Sequence, residues 1–264
     1  MRPVPSRVDD PRIDDVLARL AAVGDRFELQ RDLAGADDWL ACDRLLDPES
    51  PELAAVLEAE RVASGQVSEH ATALTVMAVY AGTVTSAAML AWALHDVVID
   101  MRAANVAVRL SEHHGFEGYG LREPTLVAGA PVELLVEQVV HQHLAPLAEA
   151  MHVRTRAGRR QLMGGAAHGC AAAFCLASRM GADVDVLEER YATFLAATDV
   201  GFEKLGRVVR LREGDREGLF YLRNTCCLYY TSAEQSMCSS CCLDPEADRI
   251  ENYREVLRGG VVPH

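Results

Sequence analysis

The chain has 264 residues, half of them hydrophobic, a quarter charged, with mean hydropathy near zero. That composition excludes a disordered, collagen-like or disulfide-stapled miniprotein class and suits one large or two small domains. Thirty-nine acids against 26 bases give a net charge of −13, which repels phosphate and argues against nucleic-acid binding.

In chain order, Ile13, Val16, Leu17 and Leu20 have helical spacing, with Asp9 or Asp10 as a cap and Pro11 in the first turn. Ser50, Pro51 and Glu52 open a second helix that ends near Gly65. Ser68 opens a long helix whose residues 71–94 carry no charge. That length could span a bilayer, but its alanines, threonines and Gly82 read better as a buried core helix. No basic cluster flanks it to orient a spanning segment.

Val97, Val98 and Ile99, then Val106, Val108 and Leu110, and Leu126 with Val127, read as short strands. The stretch from His113 to Gly120 reads as turn. Pro131 starts a helix with an apolar face of Leu135, Val136, Val139, Val140, Leu144 and Leu147, which Pro146 should kink or break. Another helix is expected over 157–179, where Gly164, Gly165 and Gly169 allow close packing. One more is expected from Asp185 to Lys204. Arg207 to Leu211 and Gly218 to Leu222 form a hairpin around Gly214. A polar helix follows at 245–257. The fold class is thus α+β, predominantly helical with a small antiparallel sheet and a C-terminal cysteine-rich segment.

Five of the eight cysteines lie between Cys226 and Cys242. The N-terminus shows no secretory signal, so a reducing compartment is expected, and clustered cysteines there suggest metal or redox chemistry before disulfides. The spacing is C-C-x10-C-x2-C, with Cys226, Cys227, Cys238 and Cys241 as candidate ligands and Cys242 left over. The Cys238–Cys241 half is a metal knuckle. Adjacent cysteines in extended backbone point to opposite faces, so Cys226 and Cys227 do not easily meet at one tetrahedral ion. A [2Fe–2S] cluster spreads four sulfurs over two irons and suits the pair better. A four-cysteine zinc site and a thiol–disulfide pair stay open as alternatives.

Other candidates have plainer readings. His141 and His143 point to nearly opposite sides of a helix and cannot easily share a metal. His113 and His114 read as solvated, and His168, Cys170 and Cys175 as core. Arg154, Arg156, Arg159 and Arg160 read as a solvated helix start. Tyr221, Tyr229 and Tyr230 flank the cysteines and pack against them. Cys242 reads as a spare thiol, with a substitute ligand or a redox-active neighbour as its alternative. Ser239, Ser240 and Thr225 are candidates for hydrogen bonds to sulfur.

The cysteine spacing near the C-terminus, after Arg223 and with Leu228 and Tyr230 following the pair, resembles the FhuF-like ferric-siderophore reductases. The likeness is strong in this segment and loose elsewhere, and it departs at Cys242, where that family commonly has proline. The resemblance implies a [2Fe–2S] cluster on Cys226, Cys227, Cys238 and Cys241. It further implies one-electron reduction of ferric siderophores of the hydroxamate type, releasing ferrous iron in the cytoplasm. Residues 1–205 would form a helix-rich, siderophore-binding body, and 206–264 the hairpin with the cluster-binding segment. No nicotinamide or flavin fingerprint is present, so electrons would come from a separate donor, a ferredoxin or a reduced flavin system. Peripheral contact with the inner membrane stays open. An iron- or redox-sensing [2Fe–2S] protein is the second functional reading, and a structural zinc protein the third.

Overall fold

The computed structural model describes residues 11–31, 33, 38–111, 113–235, 237–238 and 241–259. Asp9 and Asp10, expected to cap the first helix, lie outside these residues, as do Ser239 and Ser240.

The fold is α+β and mainly helical. Helix α1 (Pro11–Val23) is followed by β1 (Trp39–Ala41) and α2 (Pro51–Ser64). Ser50 caps α2 by accepting the Leu53 N–H, and Gly65 ends it in the left-handed conformation. The long uncharged stretch is two helices, α3 (Glu69–Val84) and α4 (Ser86–His95), where one had been expected. The chain bends at Thr85, whose hydroxyl, like that of Ser86, bonds back to a carbonyl four residues earlier. By length and composition, residues 69–95 could cross a membrane, yet 83% of their most apolar window is buried inside the protein. Nearly every α3 and α4 side chain is covered by neighbouring elements, as a helix apolar on all sides requires.

Strands β2 (Val97–Ile99), β3 (Val106–Leu110), β4 (Phe116–Leu121) and β5 (Leu126–Ala128) follow. Most of the expected turn at 113–120 is therefore strand. Gly120 has no side chain to block the backbone of Gln30, which bonds across it, and Gly118 leaves room for the Trp39 ring. Strand β1, with no alternating pattern of its own, was not expected from the sequence. Among the described residues the strands form three small antiparallel sheets, β1-β3-β4, β2-β5 and a C-terminal hairpin, where the sequence suggested one.

Pro146 does not break its helix. Helix α5 (Val132–Val136) widens into a π-helical stretch over Glu137–Leu144, and α6 (Ala145–Thr155) starts there. Pro146 thus falls in the first turn of α6, where its missing N–H is least costly. Helix α7 (Arg159–Arg179) packs most extensively against α3. A Cβ at Gly169 would come within 2.5 Å of the Ala81 and Gly82 backbone, so the glycine permits the close approach. Helix α8 (Val184–Ala197) is capped by Asp183 and ends well before Lys204, where a helix to that residue had been expected. Thr198 turns extended, and a separate short 3-10 turn covers Phe202–Lys204.

Strands β6 (Gly206–Glu213) and β7 (Arg216–Arg223) make the expected hairpin, with Gly214 at φ +59° in its turn. Alternation along β7 serves two cores. Leu219 and Tyr221 join the main core beside α7. Phe220 and Leu222 face α9 (Glu246–Arg258), where the Phe220 and Tyr253 rings stack at 4.6 Å. The hairpin is thus held on both faces, and the end of β7 delivers the cysteine segment to a fixed place.

Candidate metal centre

The chain leaves β7 at Arg223 and turns back over the N-terminal ends of α3 and α7. Three contacts hold it there. Gln66 is 1% exposed; its Nε2 donates to the Leu228 carbonyl at 3.1 Å, and its Oε1 accepts from Thr231 Oγ1 at 2.8 Å. The Ala233 N–H donates to the Ser64 carbonyl at 2.9 Å. Thr225 packs on Gly164 of α7, at a point where any Cβ would collide with it. Leu228 takes the left-handed conformation, φ 59°, and reverses the chain just after the cysteine pair.

The four sequence-predicted ligands, Cys226, Cys227, Cys238 and Cys241, line a single small pocket, with Cys242 beside them. Arg223, Thr225, Tyr229, Tyr230 and Met237 complete its wall. Among the described residues no three His, Cys, Asp or Glu side chains are close enough to hold a single metal ion. The Leu228 N–H donates to Cys226 Sγ at 3.3 Å. A hydrogen bond from Cys238, aided by the Arg223 charge and the Tyr229 N–H, holds Cys227 well below the usual thiol value despite burial. Cys238, the donor of that bond, is pushed up. Burial pushes Cys226 up to about 11. Negative charge on Cys227 is thus favoured inside the cavity, by Cys238, Arg223 and a backbone N–H.

Arg223 is the cation of the site. It is 3% exposed, and its Nε donates to the Thr225 carbonyl at 2.8 Å. Its Nη2 has no hydrogen-bond acceptor, and Thr225 Oγ1, also buried, has none either. Burial would lower the arginine, but the surrounding cysteine charges outweigh it and hold it above its ordinary value. Buried donors without acceptors, beside five sulfurs, suit an anionic group with further acceptor atoms. A [2Fe–2S] cluster with four thiolates and two bridging sulfides is such a group.

Residues 223–243 match the family model of the FhuF 2Fe-2S C-terminal domain. This segment is an FhuF-type [2Fe–2S] domain. No curated protein matches the chain. The cofactor of the FhuF-type domain is a [2Fe–2S] cluster, so the zinc and disulfide alternatives fall away.

Around the FhuF-type domain, Tyr230, Met237 and Leu243 are exposed at 38, 43 and 57%. Tyr229 flanks the cavity, and its hydroxyl donates to Glu234 at 2.9 Å. His114 is exposed, as expected, and also reaches the Tyr229 ring at 5.8 Å and the buried Glu60 at 3.0 Å. The hydrogen bond to Glu60 raises its pKa. On the inner side, His168 lies against Tyr221 at 5.7 Å.

The remaining candidates are elsewhere. His143 is buried between Tyr80 and the Met101 carbonyl, while His141 meets Asp199. Cys42, Cys170 and Cys175 are buried away from the site, and burial pushes each up to about 12. Of the arginine patch, Arg159 pairs with Glu149, and Arg154 donates to the Pro48 carbonyl. Sequence reading missed Gln66, a lone glutamine far along the chain. It also gave Arg223 no role beyond preceding the cysteines. The double glycine inside a helix was a legible sign of close approach, but nothing named Thr225 as its partner.

Proposed function

We propose that the protein is a ferric-siderophore reductase, passing one electron to a bound ferric complex so that iron leaves as ferrous. The observation that carries this reading is an FhuF-type [2Fe–2S] domain whose thiol-lined cavity lies near the surface behind exposed Tyr230, Met237 and Leu243. On this reading Cys226, Cys227, Cys238 and Cys241 hold the cluster. When bound, a [2Fe–2S] cluster supplies single electrons. Siderophore oxygens grip ferric iron far more tightly than ferrous, so one electron loosens the complex.

The chain's own residues have definite tasks here. Arg223 offsets the negative charge that grows on reduction. The Leu228 N–H, bonded to Cys226 Sγ, acts in the same sense. Gln66 and Gly164 keep the segment seated on the helical body. The helix-rich body over residues 1–205 holds the siderophore, and a separate donor, a ferredoxin or a reduced flavin system, delivers the electron. The site of action is cytoplasmic, with peripheral contact at the inner membrane left to experiment.

The test uses the reduced holoprotein, freed of excess reductant under anaerobic conditions and mixed with ferric hydroxamate siderophores. The expected result is return of the oxidised cluster absorption together with a ferrous chelate colour. A cluster that stays reduced in the presence of every ferric siderophore tried sinks the reductase reading and leaves the sensing one.

A further inference from the structure

The cavity has one more cysteine than the cluster requires. Cys242 lines it with Cys226, Cys227, Cys238, Cys241 and Arg223, whose Nη2 has no acceptor. The sulfurs acting most on the Arg223 charge are those of Cys227, Cys238, Cys242 and Cys226. Cys226 is within electrostatic reach of both Cys241 and Cys242. Cys241 is buried, with its Sγ 3.9 Å from Met237 Sδ, whereas Cys242 is half-buried.

Adjacent side chains diverge in extended backbone. Here the chain turns instead: the Cys241 N–H donates to the Cys238 carbonyl at 2.8 Å, and the Asp244 N–H to the Cys241 carbonyl at 3.2 Å. The turn brings both neighbouring sulfurs to the same cavity.

We propose that Cys242 is an alternative fourth ligand, the cluster being held by Cys226, Cys227, Cys238 and either Cys241 or Cys242. This rests on the reading of the cysteine segment as the ligand set. In the exchange an iron bond to the Cys241 sulfur breaks and one to the Cys242 sulfur forms. The Cys242 thiol proton ends on the released Cys241, and no electron moves. The fold therefore tolerates loss of either neighbour, but not of both.

Alanine variants test this without offering a substitute oxygen ligand. C238A, C241A, C242A and C241A/C242A are purified anaerobically and assayed for iron and acid-labile sulfide, visible circular dichroism and the electron paramagnetic resonance of the reduced state. The expected result is that C238A loses the cluster, C241A and C242A each keep more than half the wild-type iron, and the double variant falls at least tenfold. The C241A resonance should also be shifted. A C241A protein as empty as C238A, beside a normal C242A, overturns the exchange while leaving the ligand reading intact. A C238A protein that keeps its cluster overturns the ligand reading and the exchange with it. Should C241A not fold, alkylation of the wild-type holoprotein decides. Partial labelling of both Cys241 and Cys242 supports exchange; full labelling of Cys242 with complete protection of Cys241 overturns it.

Discussion

Thr225, the residue before the paired cysteines, sits directly on Gly164 in the first third of α7. A Cβ at position 164 would lie 2.7 Å from the Thr225 Cβ and Cγ2. G164A should therefore push the segment off the body. Overpacking of this kind costs about 1–3 kcal/mol, against which the helix gains at most about 1 kcal/mol from replacing glycine. The expected outcome is a lower melting temperature and faster release of iron to a chelator. A G164A protein with normal iron retention would show that this contact does not seat the segment.

Gln66 makes two side-chain hydrogen bonds to a segment more than 160 positions away. Q66L removes both, each worth about 0.5–1.5 kcal/mol, while the Leu228 carbonyl keeps the Thr231 N–H and hydroxyl as donors. The loss should be local. Hydrogen exchange should rise over residues 226–233 while the α3 and α7 amides keep their protection. Equal loss of protection throughout the chain would refute a local tether.

Arg223 places a buried positive charge beside the sulfurs. Two unit charges roughly 8 Å apart, at an effective dielectric of about 20, interact by about 2 kcal/mol, which sets the order of magnitude. That corresponds to roughly 90 mV for one electron, at 59 mV per tenfold. R223Q should lower the reduction potential by that order, because the more negative reduced state loses its counter-charge. R223K should stay closer to wild type. A redox titration followed by visible absorption reads the difference, and an unchanged potential in R223Q would remove the arginine from this role.

His143 is buried and neutral, with Tyr80 O–H donating to its Nε2 at 2.5 Å and its Nδ1–H donating to the Met101 carbonyl at 2.7 Å. Burial pushes its pKa down to about 4, partly offset by the bond to Met101. The unfolded chain, with histidine near 6.5, binds more protons between those two values. The His143 contribution to stability is therefore full above pH ~6.5 and is lost as pH falls toward ~4. Urea titrations should show stability declining across that window. H143Q should flatten that part of the slope, and an unchanged slope would place the acid sensitivity elsewhere.

Much of the fold was legible before the structure because local rules were decisive. Ser50 and Ser68 named their helix starts as capping residues, Gly65 and Gly214 named chain reversals, and the apolar runs of β2, β3 and β5 named strands. Where long-range packing overrode local preference, the expectations failed. Gly118 and Gly120 looked like turn residues, but β4 uses them to admit Trp39 and the Gln30 backbone. Pro146 looked like a breaker until the preceding π-helical stretch placed it at a helix start.

The same division runs through the site. Sequence alone marked the candidate donor set, because sulfur identity and short spacing are local properties. Only the tertiary structure decided what surrounds those sulfurs. Gln66, Gly164 and Glu60 are distant in the chain, and their contacts with Leu228, Thr225 and His114 carry no spacing signature. Cys242, a spare thiol by sequence, became a neighbour of the cavity because a turn, rather than an extended strand, follows Cys238.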